Sequence, residues 1–161
     1  MTDRAEYGSD RVQRVMMVGS AGGHLAQLMQ LEPWYRRFAV RWITFDMPDA
    51  VGHLRGADVV WAHHPTTRNV RNLLRNSLLA LRQVRSFRPD LVVSSGAGVA
   101  VPFFWIGKLF GARTVYVEVI DRIETRTVTA RLVSPVTDLL VAQDPAQLEL
   151  LPGSHLIGAL L

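Results

Sequence analysis

The chain has 161 residues, 48% of them hydrophobic, and a formal net charge of +4, which suits a single domain with a sizeable core and excludes a chain too polar to fold. It has no cysteine, so disulfides and thiolate-bound metals are excluded and a reducing, intracellular setting is compatible. The longest apolar run, residues 99–110, is broken by Pro102, Gly107 and Lys108 and is shorter than the roughly 20 residues of a membrane-spanning helix.

Residues 1–13 are polar, with Asp3, Glu6 and Asp10 among arginines. They are expected to form a disordered tail without a secretory leader, ahead of one domain over 14–161. A strand over 15–18 then runs into Gly19-Ser20-Ala21-Gly22-Gly23-His24. Glycines let the backbone approach a ligand, and a helix starting near His24 would point free N–H groups at a phosphate. The spacing is neither G-x-G-x-x-G nor a nucleoside-triphosphate loop, and the plainer reading is a tight turn with His24 as a polar helix cap. A helix is predicted near 24–36 and a strand over 40–45, after which Asp46 would cap the turn before Pro48. Following the strand at 59–62, His63 and His64 precede Pro65 and lack a third ligand nearby, so no metal is expected.

The helix predicted over 69–87 concentrates basic charge. Of the 18 basic residues only Lys108 is a lysine. Projection at 100° per residue puts Arg68, Arg71, Arg75, Arg82 and Arg85 within one third of the circumference, with Leu78 among them, and sets Val70, Leu73, Leu74, Leu81 and Val84 opposite as a core-facing stripe. Such a face is either a solvated surface or a contact with anionic lipid. No aromatics interleave with the arginines as stacking platforms, which argues against nucleic acid.

A buried strand over 91–93 leads into Ser94-Ser95-Gly96-Ala97-Gly98-Val99-Ala100-Val101-Pro102, a second loop with hydroxyls and glycines opening a helix, here over 101–110. Its glycines serve either a ligand or turn geometry and helix packing. Phe103, Phe104, Trp105 and Ile106 are consecutive, so this helix is expected to be buried on most sides, in the core, against a partner or in the lipid headgroup zone. The strand over 114–117 ends at Glu118, followed by Asp121, Arg122 and Glu124, either a solvated turn or part of a site. Helix 128–132, strand 138–141 and helix 146–151 complete an alternation of strands and helices. That alternation predicts an α/β, Rossmann-like parallel sheet with helices on both faces and ligands at the carboxyl ends of its strands.

Taken together, the Gly-Ser-x-Gly-Gly-His start at 19–24, Thr44-Phe45-Asp46, Arg88-Pro89-Asp90 before the loop at 95–102, Gly107-Lys108-Leu109-Phe110-Gly111-Ala112, Glu118 with Arg122, Gln143 and Gly158 carry a resemblance. The chain resembles the membrane-recruiting, acceptor-binding subunit of the two-component dolichyl-diphosphate N-acetylglucosaminyltransferase and its bacterial counterparts in capsule and exopolysaccharide assembly. It departs from that pattern at Glu118-Val119, where the family has Glu-Ser, and at Thr127-Val128-Thr129-Ala130, where the family has Ser-Leu-Thr-Gly.

The resemblance implies the N-terminal half of a GT-B glycosyltransferase, active as a hexosyltransferase only with a second subunit that carries the UDP-sugar site. It also implies a polyprenyl-diphosphate-linked acceptor, a peripheral place on the cytoplasmic face of the plasma membrane, and no cofactor. His24 and Glu118 are then the candidate catalytic residues. Ser20, Gly22, Gly23, Ser95, Gly96, Gly98 and Arg122 are candidates for substrate binding, and Arg68, Arg71, Arg75, Leu78, Arg82 and Arg85 for membrane contact. Two rival readings are a non-catalytic membrane adaptor for a glycosyltransferase and a dinucleotide-binding oxidoreductase domain.

Overall fold

The computed structural model describes residues 12–120 and 125–160. The predicted tail therefore lies mostly outside the described residues, as do Asp121, Arg122 and Glu124. Seven strands form one sheet: β1 Arg14–Val18, β2 Ala39–Phe45, β3 Asp58–Ala62, β4 Leu91–Ser94, β5 Arg113–Val117, β6 Leu139–Ala142 and β7 His155–Leu156. Their order is β3-β2-β1-β4-β5-β6-β7, and every pairing is parallel. The fold class read from the alternation is the one found. β7 was not foreseen, because two exposed residues give no periodic signal.

The order reverses direction between β1 and β4, the central pair. Side chains alternate across β1: Met16 and Val18 join one core, Val15 and Met17 the other. Both faces are covered, which is why β1 and β4 read as unbroken apolar runs. On the first face lie α4 Val70–Phe87, α5 Ala100–Leu109 and α6 Val128–Val133, contributing Ala80, Val84, Phe103, Phe104, Ala130 and Val133. On the second lie α1 Gly23–Met29, α2 Glu32–Tyr35 and α3 Pro48–His53, contributing Leu25, Leu28, Ala50 and Leu54, with Trp34 and Tyr35 packed against them. The single helix predicted near 24–36 is thus two, with Pro33 in the first turn of the second, where its missing N–H does no harm. A last helix, α7 Gln147–Leu150, precedes β7.

One expectation is corrected. The inward side of α4 is Asn72, Asn76, Ala80 and Val84, an i, i+4 row, and of the expected stripe only Val84 is fully buried. Val70, Leu73 and Leu74 are exposed. The reason is chemical: two buried asparagines are tolerated there because each finds backbone partners in the loop after β3, as described below. Ala80 meanwhile gives a small surface within the core shared with α5. Arg68, with φ 50, lies before the N-cap Asn69, so it is not on the helix and the projection does not hold for it.

Candidate active-site cleft

The loops after β1 and β4 meet at the carboxyl ends of these two adjacent strands, at the reversal of strand order where open α/β sheets bind ligands. A cleft of about 890 Å³ opens there. Ser20, Gly22, Gly23 and His24 line it from the first loop, Ala97 and Gly98 from the second, Tyr116 from β5, and Thr127 and Thr129 from the start of α6.

His24 joins the two loops. Its Nδ1 lies 3.0 Å from the Ser95 carbonyl oxygen, and the Ser95 hydroxyl donates to the His24 carbonyl at 2.9 Å. A carbonyl oxygen only accepts, so the neutral ring carries its proton on Nδ1, and Nε2 is its basic nitrogen. Gly96, at φ 126, packs beneath the ring. A Cβ there would come within 2.9 Å of the His24 Cε1 and 3.1 Å of the Tyr116 hydroxyl, so any larger residue would push the imidazole out of place. Its N–H is held by the Ser94 hydroxyl at 3.0 Å. Ser95 and Gly96 therefore support the cleft from behind and do not line it.

The remaining glycines differ in what surrounds them. Gly22, at φ 76, is the N-cap of α1, and its N–H donates to the Asp49 carboxylate at 2.7 Å. Asp49, in the first turn of α3, is the sole acidic side chain lining the cleft among the described residues. Gly98 faces Thr66, whose side chain would lie 3.0 Å from an added Cβ.

Sequence reasoning missed the wall carrying Thr66. The loop after β3 supplies His64, Pro65, Thr66 and Thr67 to the cleft, and the His64 ring packs 5.3 Å from that of Phe45, centroid to centroid. Just before them, burial and the nearby Arg75 charge lower the His63 pKa. A Pro after two histidines reads only as a loop, and nothing local says that it folds over the neighbouring strand ends. Asp49 was missed too. Asp46 was expected to cap the turn, yet the N-cap of α3 is Met47, without a side-chain hydrogen bond.

Glu118 is 1% exposed and is not among the residues lining the cleft. Its Oε1 accepts from the Val119 N–H at 3.1 Å, and its carbonyl accepts from the Gln143 side chain at 2.9 Å. Gln143 also donates to Gln27 at 2.7 Å, and Gln147 donates to the Val119 carbonyl at 2.7 Å. These buried amides tie α1, the end of β5 and the segment after β6 together. Arg122 lies outside the described residues.

Away from the cleft, Arg71, Arg75, Arg82 and Arg85 are all exposed along α4, and Leu78 is 58% exposed among them. α5 is split: Phe103 and Phe104 are fully buried, while Trp105 and Leu109 face out. The Trp105 indole donates to the Leu132 carbonyl of α6, and Leu132 and Val128 are exposed beside it. α4, α5 and α6 contain no Asp or Glu. Among the described residues no helix is long and apolar enough to cross a membrane.

Comparison with known proteins adds to this geometry. Human UDP-N-acetylglucosamine transferase subunit ALG14 is 30% identical over 94 residues, which cover 55% of this chain and 44% of that protein. The chain resembles an ALG14-type glycosyltransferase subunit. The match spans less than half the length of that relative, and no family model matches the chain. Among solved structures, MurG of Acinetobacter baumannii superposes with a TM-score of 0.69 at 20% identity, over 90% of this chain and 44% of that one. The UDP-GlcNAc 2-epimerase of Neisseria meningitidis bound to UDP-GlcNAc gives 0.66 at 14% identity, over 91% and 45%. These two share the fold, that of the N-terminal half of a GT-B glycosyltransferase. The fold is common to a transferase and an epimerase, so it does not choose between them; the ALG14 similarity relates the chain to glycosyltransferases.

Proposed function

We propose that this chain is the acceptor-binding, membrane-recruiting subunit of a two-component inverting glycosyltransferase. It works with a second subunit that holds the UDP-sugar, and the sugar passes to a polyprenyl-diphosphate-linked saccharide in capsule, exopolysaccharide or cell-wall glycolipid synthesis. The observation that carries this reading is the junction of the two glycine-bearing loops at His24 and Ser95, on a cleft at the strand ends, in a chain similar to a UDP-N-acetylglucosamine transferase subunit.

The acceptor hydroxyl oxygen attacks the anomeric carbon while the bond to the UDP oxygen breaks, and UDP departs with that electron pair. The hydroxyl proton goes to His24 Nε2, the basic nitrogen once Nδ1–H is given to the Ser95 carbonyl; such a positioned base contributes about 10²–10⁴-fold. In this reading Gly23, Gly98, Ser20, Thr66 and Thr67, which line the cleft, meet sugar or diphosphate oxygens, Ser95 and Gly96 hold the imidazole, and buried Glu118 keeps the end of β5 in position. The outer face of α4, α5 and α6, whose helices are basic and hold no acidic residue of their own and which is studded with exposed leucines and Trp105, fits the cytoplasmic leaflet, where each arginine near an anionic surface is worth about 1 kcal/mol.

The test is copurification of the tagged chain from its native cells, followed by transfer from radiolabelled UDP-sugars to the membrane fraction. Recovery of a second Rossmann-like chain, with label entering lipid only when both are present, is the expected result. Absence of such a chain and of transfer would overturn the reading. A partner whose activity survives His24→Ala whenever an artificial anchor supplies recruitment would instead make this chain an adaptor.

A further inference from the structure

α4 has two faces with different partners. Its outer face is the basic and apolar one described above. Its inner face carries Asn76, 1% exposed, and Asn72, 6% exposed, on a row where a helix normally buries apolar side chains. Asn76 makes a closed pair with the backbone of His63: its Oδ1 accepts from the His63 N–H and its Nδ2 donates to the His63 carbonyl, both at 2.8 Å. Asn72 donates to the Pro65 carbonyl at 2.9 Å. Little more than one turn of α4 thus holds three backbone groups of the segment that leads into the cleft wall, whose Thr66 packs on Gly98 and whose His64 packs on Phe45. Buried amides cost stability unless satisfied, and here the groups that satisfy them belong to a wall of the cleft.

We infer that Asn72 and Asn76 are positioning residues that fix the 63–67 wall to α4, so that an anionic membrane seated on the outer face of α4 sets the shape of the diphosphate-binding cleft. Neither asparagine lines the cleft. Both act through the backbone they hold, and the coupling runs across one rigid helix with the membrane on one side and the acceptor wall on the other. This inference rests on the membrane and acceptor reading proposed above. Linkage makes it reciprocal: if the membrane tightens diphosphate binding, a diphosphate must tighten membrane binding by the same factor.

The experiment uses the full chain with geranyl diphosphate, a short water-soluble prenyl diphosphate, with and without phosphatidylglycerol vesicles. Wild type is expected to bind geranyl diphosphate about fivefold more tightly when vesicles are present, within the usual range of coupling between sites. Asn76→Leu keeps the branched side-chain skeleton, with slightly larger ends, and removes both bonds. It is expected to bind vesicles as wild type does, to bind geranyl diphosphate about tenfold more weakly because the wall no longer holds its competent shape, and to lose the vesicle-dependent gain. A purely structural role would lower the melting temperature and leave that gain intact in the folded fraction. Asn72→Ala removes a single bond and covers the case in which Asn76→Leu does not fold; it is expected to lose about threefold with a reduced gain. Wild-type-like affinity and gain in a folded variant would overturn the inference alone. A wild-type chain that binds neither vesicles nor geranyl diphosphate would overturn the underlying reading together with it.

Discussion

The two helical layers build the core in the same way and differ on the outside. Each lays small and branched apolar residues on one face of the same sheet. The helices α4, α5 and α6 present arginines and large apolar side chains and hold no acidic residue of their own, the Lys108 of α5 being paired with Asp138 before β6, whereas α1, α2 and α3 carry Glu32 and Asp49. Packing needs no such asymmetry. A charge distribution that is one-sided where the fold is two-sided is what the proposed contact with an anionic surface would use.

The comparison breaks most visibly within α5, where consecutive residues face opposite ways. Phe103→Ala is expected to cost about 3–5 kcal/mol by leaving a cavity in the core, while Trp105→Ala, at a side chain about half exposed, should cost only about 1–2 kcal/mol through one exposed hydrogen bond and part of its apolar burial; chemical denaturation of both checks it. Between the layers, replacing Arg71, Arg75, Arg82 and Arg85 together by Gln should weaken binding to phosphatidylglycerol vesicles by about three orders of magnitude at low salt, at roughly 1 kcal/mol each. The same change at Arg36, Arg37 and Arg55, which follow α2 and α3, should do far less, and cosedimentation would sink the asymmetry if both sets behaved alike.

A smaller effect is expected in the cleft. Gly96→Ala combines a positive φ with a Cβ 2.9 Å from the His24 ring, and should lower turnover of the proposed two-subunit complex by about tenfold or more through displacement of His24, the proposed base, whereas Gly23→Ala meets nothing within 4 Å and should fold as wild type does. The smallest concerns His63, whose pKa is lowered by burial and Arg75. A histidine with a depressed folded pKa binds its proton more readily when unfolded, so its contribution is complete above the ordinary value near 6.5 and is lost as pH falls below it toward the folded value. His63→Asn should flatten the fall in thermal stability between neutral and mildly acidic pH, read by melting curves across that range.

The sheet was legible because its central strands are buried on both faces and so form continuous β-branched and apolar runs, and because glycine loops punctuate their ends. α3 was not: Pro48–His53 is short, holds a glycine and shows no apolar period. The inner face of α4 was misread for a different reason. Asn72 and Asn76 look like solvent-facing residues until the backbone of 63–65 is placed against them, and that contact depends on the crossover from β3 to β4. His24 was legible as a cleft residue from its own loop, yet its tautomer depends on Ser95, 71 positions away. Asp49 and Thr66 became visible only when distant strand ends were brought side by side.

The most direct test of acceptor binding in the cleft is photocrosslinking of the chain, with the proposed partner and vesicles present, to a polyprenyl diphosphate bearing a photoreactive group next to the diphosphate. Label is expected in the peptides holding residues 20–24, 64–67 and 97–98, reduced by excess unlabelled polyprenyl diphosphate. Saturable label confined to the far edge of the sheet, at residues 139–157, with none at His24 or its neighbours, would contradict it.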